Sequence, residues 1–155
     1  MCIRDSNNTW YYVKDGRIDW NYSNLVYYNG AWYYVDHGQI NWHKTTLSQV
    51  NGTGTWYYVE NGQINWSYNG LVYFNNNWYF VKNGRIDWNY SNLVYYNGAW
   101  YYVDHGQINW HKTTLSQVNG TGTWYYIENG MLNWSYNGTY NYNGVNYTIH
   151  NGVVC

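Results

Sequence analysis

Proline is absent from the sequence, and charged residues are few. Only 10% of the 155 residues are charged, and the formal net charge is −1. The chain has no basic or acidic run, which argues against a nucleic-acid-binding or anionic membrane surface. Alanine and other helix formers are also scarce, whereas aromatic and β-branched residues dominate, so the composition favours strands.

Cysteine and long apolar runs are equally scarce. The two cysteines, Cys2 and Cys155, stand near opposite ends of the chain and form no disulfide framework or metal-ligand spacing. A membrane-spanning helix needs about 20 predominantly apolar residues, and the apolar runs of this sequence are far shorter. We therefore expect no metal, no cofactor and no membrane insertion.

Tryptophan and tyrosine, by contrast, are abundant and regularly spaced. The sequence contains 12 tryptophans and 23 tyrosines but only 2 phenylalanines. Successive tryptophans are separated alternately by 10 residues and by 12 or 14 residues, which gives a repeat of 22 to 24 residues. A fixed period of this kind is typical of one supersecondary unit copied along the chain. Residues 17–58 are also identical to residues 85–126, which indicates a recent duplication or an assembly artefact of repetitive DNA.

The two ends of the chain depart from the repeat. Residues 1–6, MCIRDS, match no repeat position and correspond to the translation of a sequencing-library adapter, so we interpret them as a non-native leader. A short native leader is the alternative. Residues 143–155 align on the repeat but carry Asn146 in place of tryptophan. We therefore predict tandem aromatic β-hairpin repeats over 7–142 and a degenerate terminal repeat over 143–155 that caps the array.

Each repeat contains two turn signals between alternating apolar residues. In the copy that spans 25–42, they are Asn29-Gly30 and His37-Gly38. Such dipeptides tolerate positive φ and are strong hairpin signals. A three-stranded repeat of this size cannot bury its own apolar face, so its neighbours must stack on it. We predict an all-β fold of tandem β-hairpins in a solenoid-like array, with about 22–24 residues per repeat.

Two-residue turns would fix the register of the strands. Tyr27 would then lie opposite Trp32, Tyr28 opposite Ala31, and Val35 opposite Ile40. Because directly opposed residues share a face, we predict an apolar core face of Val26, Tyr28, Tyr33, Val35, Ile40 and Trp42. The second face mixes aromatic and polar groups and comprises Leu25, Tyr27, Trp32, Tyr34, Asp36, Gln39 and Asn41.

The pattern N-G-x-W-Y-Y-V-x-x-G-x-I, which occurs at 29–40 and around Trp100 and has close equivalents around Trp56 and Trp124, resembles the cell-wall-binding repeats of Gram-positive surface proteins. That family includes choline-binding and glucan-binding repeats, and the resemblance covers 7–155. It implies a β-hairpin solenoid at the bacterial cell surface or wall. It also implies non-catalytic attachment to wall or glycan polymers, and a fused catalytic or adhesive domain outside this sequence.

One departure from the family pattern concerns its ligand. The family has a tryptophan seven residues before the Trp-Tyr-Tyr motif, and choline-type members use it in an aromatic cage for a quaternary ammonium group. This sequence has Leu25, Leu71 and Leu93 there, which argues against choline recognition. It carries instead an additional set of tryptophans, which we interpret mainly as packing residues: Trp20, Trp42, Trp66, Trp88, Trp110 and Trp134.

The mixed face suggests a binding module for cell-wall or other glycan polymers, of the teichoic acid or glucan type. Sugar rings have apolar faces that stack on aromatic rings, and their hydroxyl groups need amide or carboxylate partners. Linked weak sites can raise avidity by about 10²–10⁴. The predicted glycan-binding residues are Tyr27, Trp32, Tyr34, Gln39, Asn41, Tyr73, Trp78, Phe80, Asp87, Tyr95, Trp100, Tyr102, Gln107 and Asn109.

Two other functional classes compete with this interpretation. Low charge and exposed tyrosine would also suit a structural adhesin stalk or a self-associating surface fibre without a specific glycan ligand. An enzyme is disfavoured, because the pairs Asp36-His37 and Asp104-His105 lie in repeated turns and no nucleophile or zinc motif accompanies them. We predict no catalytic residue in this chain.

Overall fold

The computed structural model describes residues 2–4, 8–50, 53–118 and 121–155. These residues form strands and turns without a helix, which confirms the all-β prediction. No helix in the described part of the chain could therefore cross a membrane. The chain divides into two compact units: the first comprises Met1–Asn69 and Val81–Ile86, and the second Gly70–Phe80 and Asp87–Cys155.

The described strands follow a recurring order of two longer strands and one short strand. The first nine are β1 (Cys2–Arg4), β2 (Trp10–Lys14), β3 (Arg17–Ile18), β4 (Asn24–Tyr28), β5 (Ala31–Asp36), β6 (Gln39–Ile40), β7 (Thr46–Gln49), β8 (Trp56–Glu60) and β9 (Gln63–Ile64). They continue with β10 (Gly70–Phe74), β11 (Asn77–Lys82), β12 (Arg85–Ile86), β13 (Asn92–Tyr96), β14 (Ala99–Asp104) and β15 (Gln107–Ile108). The last six are β16 (Thr114–Gln117), β17 (Trp124–Glu128), β18 (Met131–Leu132), β19 (Gly138–Tyr142), β20 (Val145–His150) and β21 (Val153–Val154).

The register within a repeat is the predicted one. Tyr27 pairs with Trp32 and Tyr28 with Ala31 in the β4–β5 hairpin, and Val35 pairs with Ile40 between β5 and β6. The turns are also as predicted, since His37 has φ of 50° and Gly38 has φ of 82°. Two consecutive positive φ angles give a turn whose twist matches that of the flanking strands.

Successive repeats are joined through the second turn of each one. The Tyr12 amide donates to the Gly38 carbonyl at 2.8 Å, and the Gly38 amide donates to the Tyr22 carbonyl at 2.9 Å. Tyr11 of β2 is also the ladder partner of Gln39 in β6. The same amide-to-carbonyl bond recurs at 2.8 Å down the chain, from Tyr34 to Gly62, Tyr58 to Gly84, Phe80 to Gly106, Tyr102 to Gly130 and Tyr126 to Gly152. This regular linkage is the solenoid-like array that the period predicts.

The second turn lies directly against the backbone of the preceding repeat. A Cβ atom added to Gly38 would be 2.7 Å from the Asp19 carbonyl oxygen, which is closer than non-bonded atoms approach. A Cβ atom on Gly30, in the first turn, would have no neighbour within 4 Å. Glycine therefore provides the positive φ in both turns. Only in the second turn does its missing side chain also allow a close contact with the preceding repeat.

The core has two sides, and this corrects the face prediction. Val26, Val35 and Ile40 are buried together as predicted, but Leu25 of the mixed face is only 3% exposed. It packs against Val59 and Ile64, because the next repeat covers much of the face that we expected to be open.

Trp42 departs from the prediction in the opposite direction. It belongs to the predicted core face but is 39% exposed. Strand β6 ends at Ile40, and Trp42 begins a turn outside the ladder. The related tryptophans, which we interpreted as packing residues, are 39–52% exposed. Each of the six contacts one tyrosine edge-on, as Trp42 contacts Tyr33 with the ring centroids 5.7 Å apart.

The degenerate terminal repeat keeps the hairpin architecture. β19 pairs with β20, and Asn146 stands opposite Asn141 with a side-chain hydrogen bond of 2.8 Å. Ile149 is 2% exposed and packs against Leu115 and Tyr126. The capping role of 143–155 remains a prediction.

Within the predicted leader 1–6, the described residues Cys2–Arg4 form β1 and pair with β2. Residues 1, 5 and 6 lie outside the described part of the chain. The non-native origin of the leader remains a prediction.

Candidate functional site

Pairs of aromatic rings from neighbouring repeats pack against each other, and we call these ring pairs the aromatic crevices. Each consists of the tryptophan that opens a Trp-Tyr strand and the tyrosine that ends the first strand of the next hairpin. The ring centroids are 5.5 Å apart for Trp10 and Tyr28, 5.1 Å for Trp78 and Tyr96, and 5.7 Å for Trp124 and Tyr142. The planes of each pair are tilted by 52–58°. All six side chains are half-buried, so part of each ring is available to a ligand.

The crevice at Trp78 has a third ring. Tyr73 lies across the β10–β11 hairpin with its ring 5.3 Å from Trp78, and it is 56% exposed. Trp78 is therefore in contact with both Tyr73 and Tyr96. The faces of aromatic rings carry negative electrostatic potential, so such a group of rings attracts cations.

The crevice at Trp124 opens into a groove of about 680 Å³ within the second unit. Serine, threonine, asparagine and glutamine side chains line much of this groove, together with Tyr140 and Lys112. The Lys112 ammonium lies 5.5 Å from the centre of the Tyr102 ring, so a positive charge borders the crevice. Burial raises the pKa of the Tyr102 hydroxyl, and the charge of Asp104 adds to this effect, which keeps the hydroxyl neutral.

A second kind of cavity surrounds two of the exposed tryptophans, and we call these cavities the tryptophan pockets. The first has a volume of about 320 Å³ and is lined by Asp36, His37, Gln39, Ile40, Asn41, Trp42 and His43. The second has a volume of about 480 Å³ and is lined by Asp104, His105, Gln107, Ile108, Asn109, Trp110 and His111, with Asn76 and Asn77. The two pockets belong to different units and share the same residue types, because they come from the identical segments.

A hydrogen-bond network orders the polar side of each tryptophan pocket. His37 Nδ1 lies 2.7 Å from Asp36 Oδ1, and the Asn41 amide donates to Asp36 Oδ2 at 3.4 Å. These bonds hold the pKa of Asp36 below its usual value, the contact with His37 contributing most. The Asn109 and His105 bonds lower the pKa of Asp104 in the same way. Both carboxylates are thus ionised at neutral pH.

The repeats that contain the aromatic crevices also match a known family of sequences. A sequence model of the choline-binding repeat matches 3–19, 21–41, 45–65, 67–87, 89–109 and 113–133. The chain belongs to the choline-binding repeat family. This confirms the resemblance that the Trp-Tyr-Tyr pattern indicates. No curated protein sequence matches the chain.

Among solved structures, the chain is similar to choline binding protein F from Streptococcus pneumoniae, with 26% sequence identity and a TM-score of 0.36. The match covers 99% of this chain and 47% of that protein. The chain therefore spans about half the length of its solved relative.

The leucine that departs from the pattern of the choline-binding repeats is a core residue. Leu71 is 1% exposed and belongs to the same cluster as Trp78, Phe80 and Tyr96. It lies beneath the crevice and presents no surface to a ligand. A leucine in place of the family's tryptophan therefore leaves the aromatic rings around this position in place.

Most of the crevice residues of these choline-binding repeats are absent from the predicted glycan-binding site. Tyr28 belongs to the predicted core face, and neither Tyr96 nor Tyr142 belongs to the predicted site. A usable signal was present, since each crevice tyrosine follows its tryptophan by 18 residues. The same spacing from Trp32 and Trp100 leads to valine, at Val50 and Val118, and those two repeats therefore have no crevice of this kind.

The predicted glycan-binding residues fall in three different places. The exposed tyrosines pair with tryptophans at 5.3–5.4 Å, as Tyr27 with Trp32, Tyr73 with Trp78, and Tyr95 with Trp100. The second group packs within the hydrophobic clusters and comprises Tyr34, Phe80 and Tyr102. The third group lines the tryptophan pockets and comprises Gln39, Asn41, Gln107 and Asn109. Asp87 belongs to none of these and accepts from the Asn89 amide at 3.0 Å. The pockets bring the amides to Trp42 and Trp110 rather than to the predicted aromatic rings.

Proposed function

We propose that this chain is a non-catalytic module that attaches a bacterial surface protein to a choline-bearing cell-wall polymer, and that its aromatic crevices hold the quaternary ammonium groups. The arrangement of Tyr73, Trp78 and Tyr96 carries the proposal. Membership of the choline-binding repeat family supports it. The choline ligand differs from the sequence-based expectation, in which Leu25, Leu71 and Leu93 argue against choline recognition.

A quaternary ammonium group suits this surface because it cannot donate a classical hydrogen bond. Its methyl groups contact the ring faces while its charge interacts with their negative potential. Such a contact contributes about 0.5–2 kcal/mol, so each crevice binds weakly alone. A polymer with many choline groups can occupy several crevices at once and gain avidity.

The groove beside Trp124 favours a polymer of the teichoic acid type over a neutral glucan. Lys112 places a cation in the same groove as Trp124 and Tyr142. A phosphate group adjacent to a choline group would be attracted to this lysine, while the ammonium group enters the crevice. The polar side chains that line the groove would then meet the sugar or polyol part of the polymer.

Calorimetric titration of the chain with choline chloride tests the proposal. We expect saturable binding in the millimolar range, the affinity that a few kcal/mol per site provides. Tetramethylammonium should compete, because it has the same methylated cation. Ethanolamine should bind much more weakly, because its primary ammonium group is strongly hydrated. Equal heats from ethanolamine, or from sodium chloride at the same ionic strength, would contradict recognition of the quaternary group.

A pair of neighbouring substitutions locates the site. Tyr96→Val copies the residue that Val50 and Val118 provide naturally, and we expect it to reduce the number of choline sites by one. Tyr95→Val is the matched control on the same strand, because Tyr95 contacts Trp100 instead, and it should keep all sites. Circular dichroism checks that both variants fold. A loss of choline sites in the control, or none in Tyr96→Val, would place the ligand elsewhere.

A structural stalk or self-associating fibre is the second candidate. The exposed tyrosines favour it, since Tyr27 is 59% and Tyr95 is 60% exposed, and aromatic side chains are enriched in protein interfaces. Sedimentation of the chain alone, without polymer or choline, distinguishes the two functions. A concentration-dependent assembly that ignores choline would favour the stalk.

A further inference from the structure

We infer that the two tryptophan pockets are a second class of binding site, which takes neutral hexopyranose units of a polysaccharide. They are separate from the aromatic crevices, and none of the crevice rings lines either pocket. The inference goes beyond choline recognition and does not depend on it.

The indole of each pocket provides a fixed platform for a sugar ring. Trp42 and Trp110 are each 39% exposed. Tyr33 and Tyr101 meet them edge-on at 5.7 and 5.8 Å, which restricts the indole orientation. The C–H groups on one face of a hexopyranose can pack on such a ring. A preorganised platform lowers the entropy cost of binding.

Hydrogen-bonding groups lie beside the platform in the arrangement that sugar hydroxyls need. The Asp36 carboxylate has acceptor capacity beyond its contacts with Ser23, His37 and Asn41, and the Asn41 amide has a second N–H. His37 engages Asp36 through Nδ1, and its side chain is 84% exposed, so the ring is accessible from solvent. These groups are ordered by their own network before a sugar arrives.

The composition and size of the pockets favour an uncharged ligand. The carboxylate of Asp36 or Asp104 in each pocket would repel a phosphate group. Among the described residues, no three histidine, cysteine, aspartate or glutamate side chains converge on a metal position. Volumes of about 320 and 480 Å³ lie in the range of small-molecule pockets.

Two other repeats carry different residues beside the equivalent tryptophan and provide internal controls. Asn61 and Ser67 replace the two histidines beside Trp66, and Glu60 accepts from the Asn65 amide at 2.7 Å. Asn129 and Ser135 do the same beside Trp134. Trp66 and Trp134 are 48% and 52% exposed, so they test whether an exposed indole alone is enough.

Titration of the chain with isomaltotetraose and chitotetraose, followed by the indole N–H resonances of the tryptophans, tests the inference. We expect saturable shifts for Trp42 and Trp110 with at least one probe at concentrations of up to about 10 mM. Trp66 and Trp134 should shift little. The absence of shifts with both probes, or equal shifts at all four tryptophans, would overturn the inference.

Paired variants separate this site from the choline site. Trp42→Ala with Trp110→Ala should weaken oligosaccharide binding by at least about tenfold and leave choline binding unchanged. Trp66→Ala with Trp134→Ala is the matched control and should bind the oligosaccharide normally. A chain that binds oligosaccharide but not choline would contradict the proposed function alone. A loss of choline binding in the Trp42 and Trp110 variant, in a protein that remains folded, would show that the two sites are one.

Discussion

Leu93 shows how a single residue can depart from a family motif without disturbing the fold. It is 3% exposed and packs against Ile127 and Leu132 of the following repeat. An aliphatic side chain of this size fills the available volume. A tryptophan at the same position would need a different arrangement of the residues around it.

Leu93→Trp should therefore destabilise the chain instead of restoring a choline cage. Overpacking a well-filled core costs about 1–3 kcal/mol, and we expect a loss of stability in this range by urea denaturation. Leu93→Met has a similar volume and should cost less than about 1.5 kcal/mol. An additional choline site in Leu93→Trp, with stability unchanged, would show that the core can admit the larger ring.

Single residues also show what the sequence could not predict about the site. Trp32 and Trp78 occupy equivalent positions in their repeats, but of these two only Trp78 contacts a tyrosine 18 residues further on, because Val50 follows Trp32 at that distance. Trp42 belongs to the predicted core face only if the strand alternation of inward and outward side chains continues past the end of β6, and it does not. The first difference is a contact between repeats, which the pattern within one repeat does not contain, and the second is the position at which a strand ends.

At the scale of elements, the two turns of a repeat have similar sequences but different packing contacts. Gly98 has φ of 93° and open space at its Cβ position, whereas a Cβ atom on Gly106 would lie 2.7 Å from the Asp87 carbonyl oxygen. The first turn only reverses the chain. The second also makes contact with the preceding repeat, where the Phe80 amide donates to the Gly106 carbonyl at 2.8 Å.

Gly106→Ala should accordingly cost more stability than Gly98→Ala. Positive φ in a residue with a side chain costs about 1–3 kcal/mol, and both variants incur this strain. Gly106→Ala must also move the turn away from Asp87, which weakens the junction between repeats. Equilibrium unfolding measures the difference, and equal losses for the two variants would contradict the importance of the close contact.

The elements themselves were predictable from the sequence because their signals are local. Asn29-Gly30 and His37-Gly38 identified both turns, and the turns fixed which residues pair. What covers each face could not be inferred from the same signals. Leu25 appeared to share an open surface with Tyr27, yet the next repeat buries the leucine and leaves the tyrosine exposed.

At the scale of the whole molecule, stability depends on contacts between adjacent repeats. Ile149 of the terminal repeat is 2% exposed and packs with Leu115 and Tyr126. The terminal repeat therefore covers apolar surface that its neighbour would otherwise present to water. This is the physical basis for the predicted capping role of 143–155.

Deletion of 138–155 should destabilise the repeats that it covers more than distant ones. We expect amide hydrogen exchange to become faster in β16 and β17, with little change in β4 and β5, because repeat proteins transmit stability between neighbours. Ile149→Ala should produce a milder version of the same pattern, and Thr148→Ala, an exposed neighbour, should produce none. Uniformly faster exchange along the chain would indicate one cooperative fold without a local cap.

The junction between repeats is the same at each described position, an amide-to-carbonyl bond of 2.8 Å onto the glycine of the second turn. Recombination between misaligned gene copies, displaced by a whole number of repeats, would therefore join hairpins that already fit one another. Such an exchange would lengthen or shorten the protein without creating a new interface. Copy number, and with it the strength of polymer attachment, could then change in one genetic step while every hairpin keeps its fold.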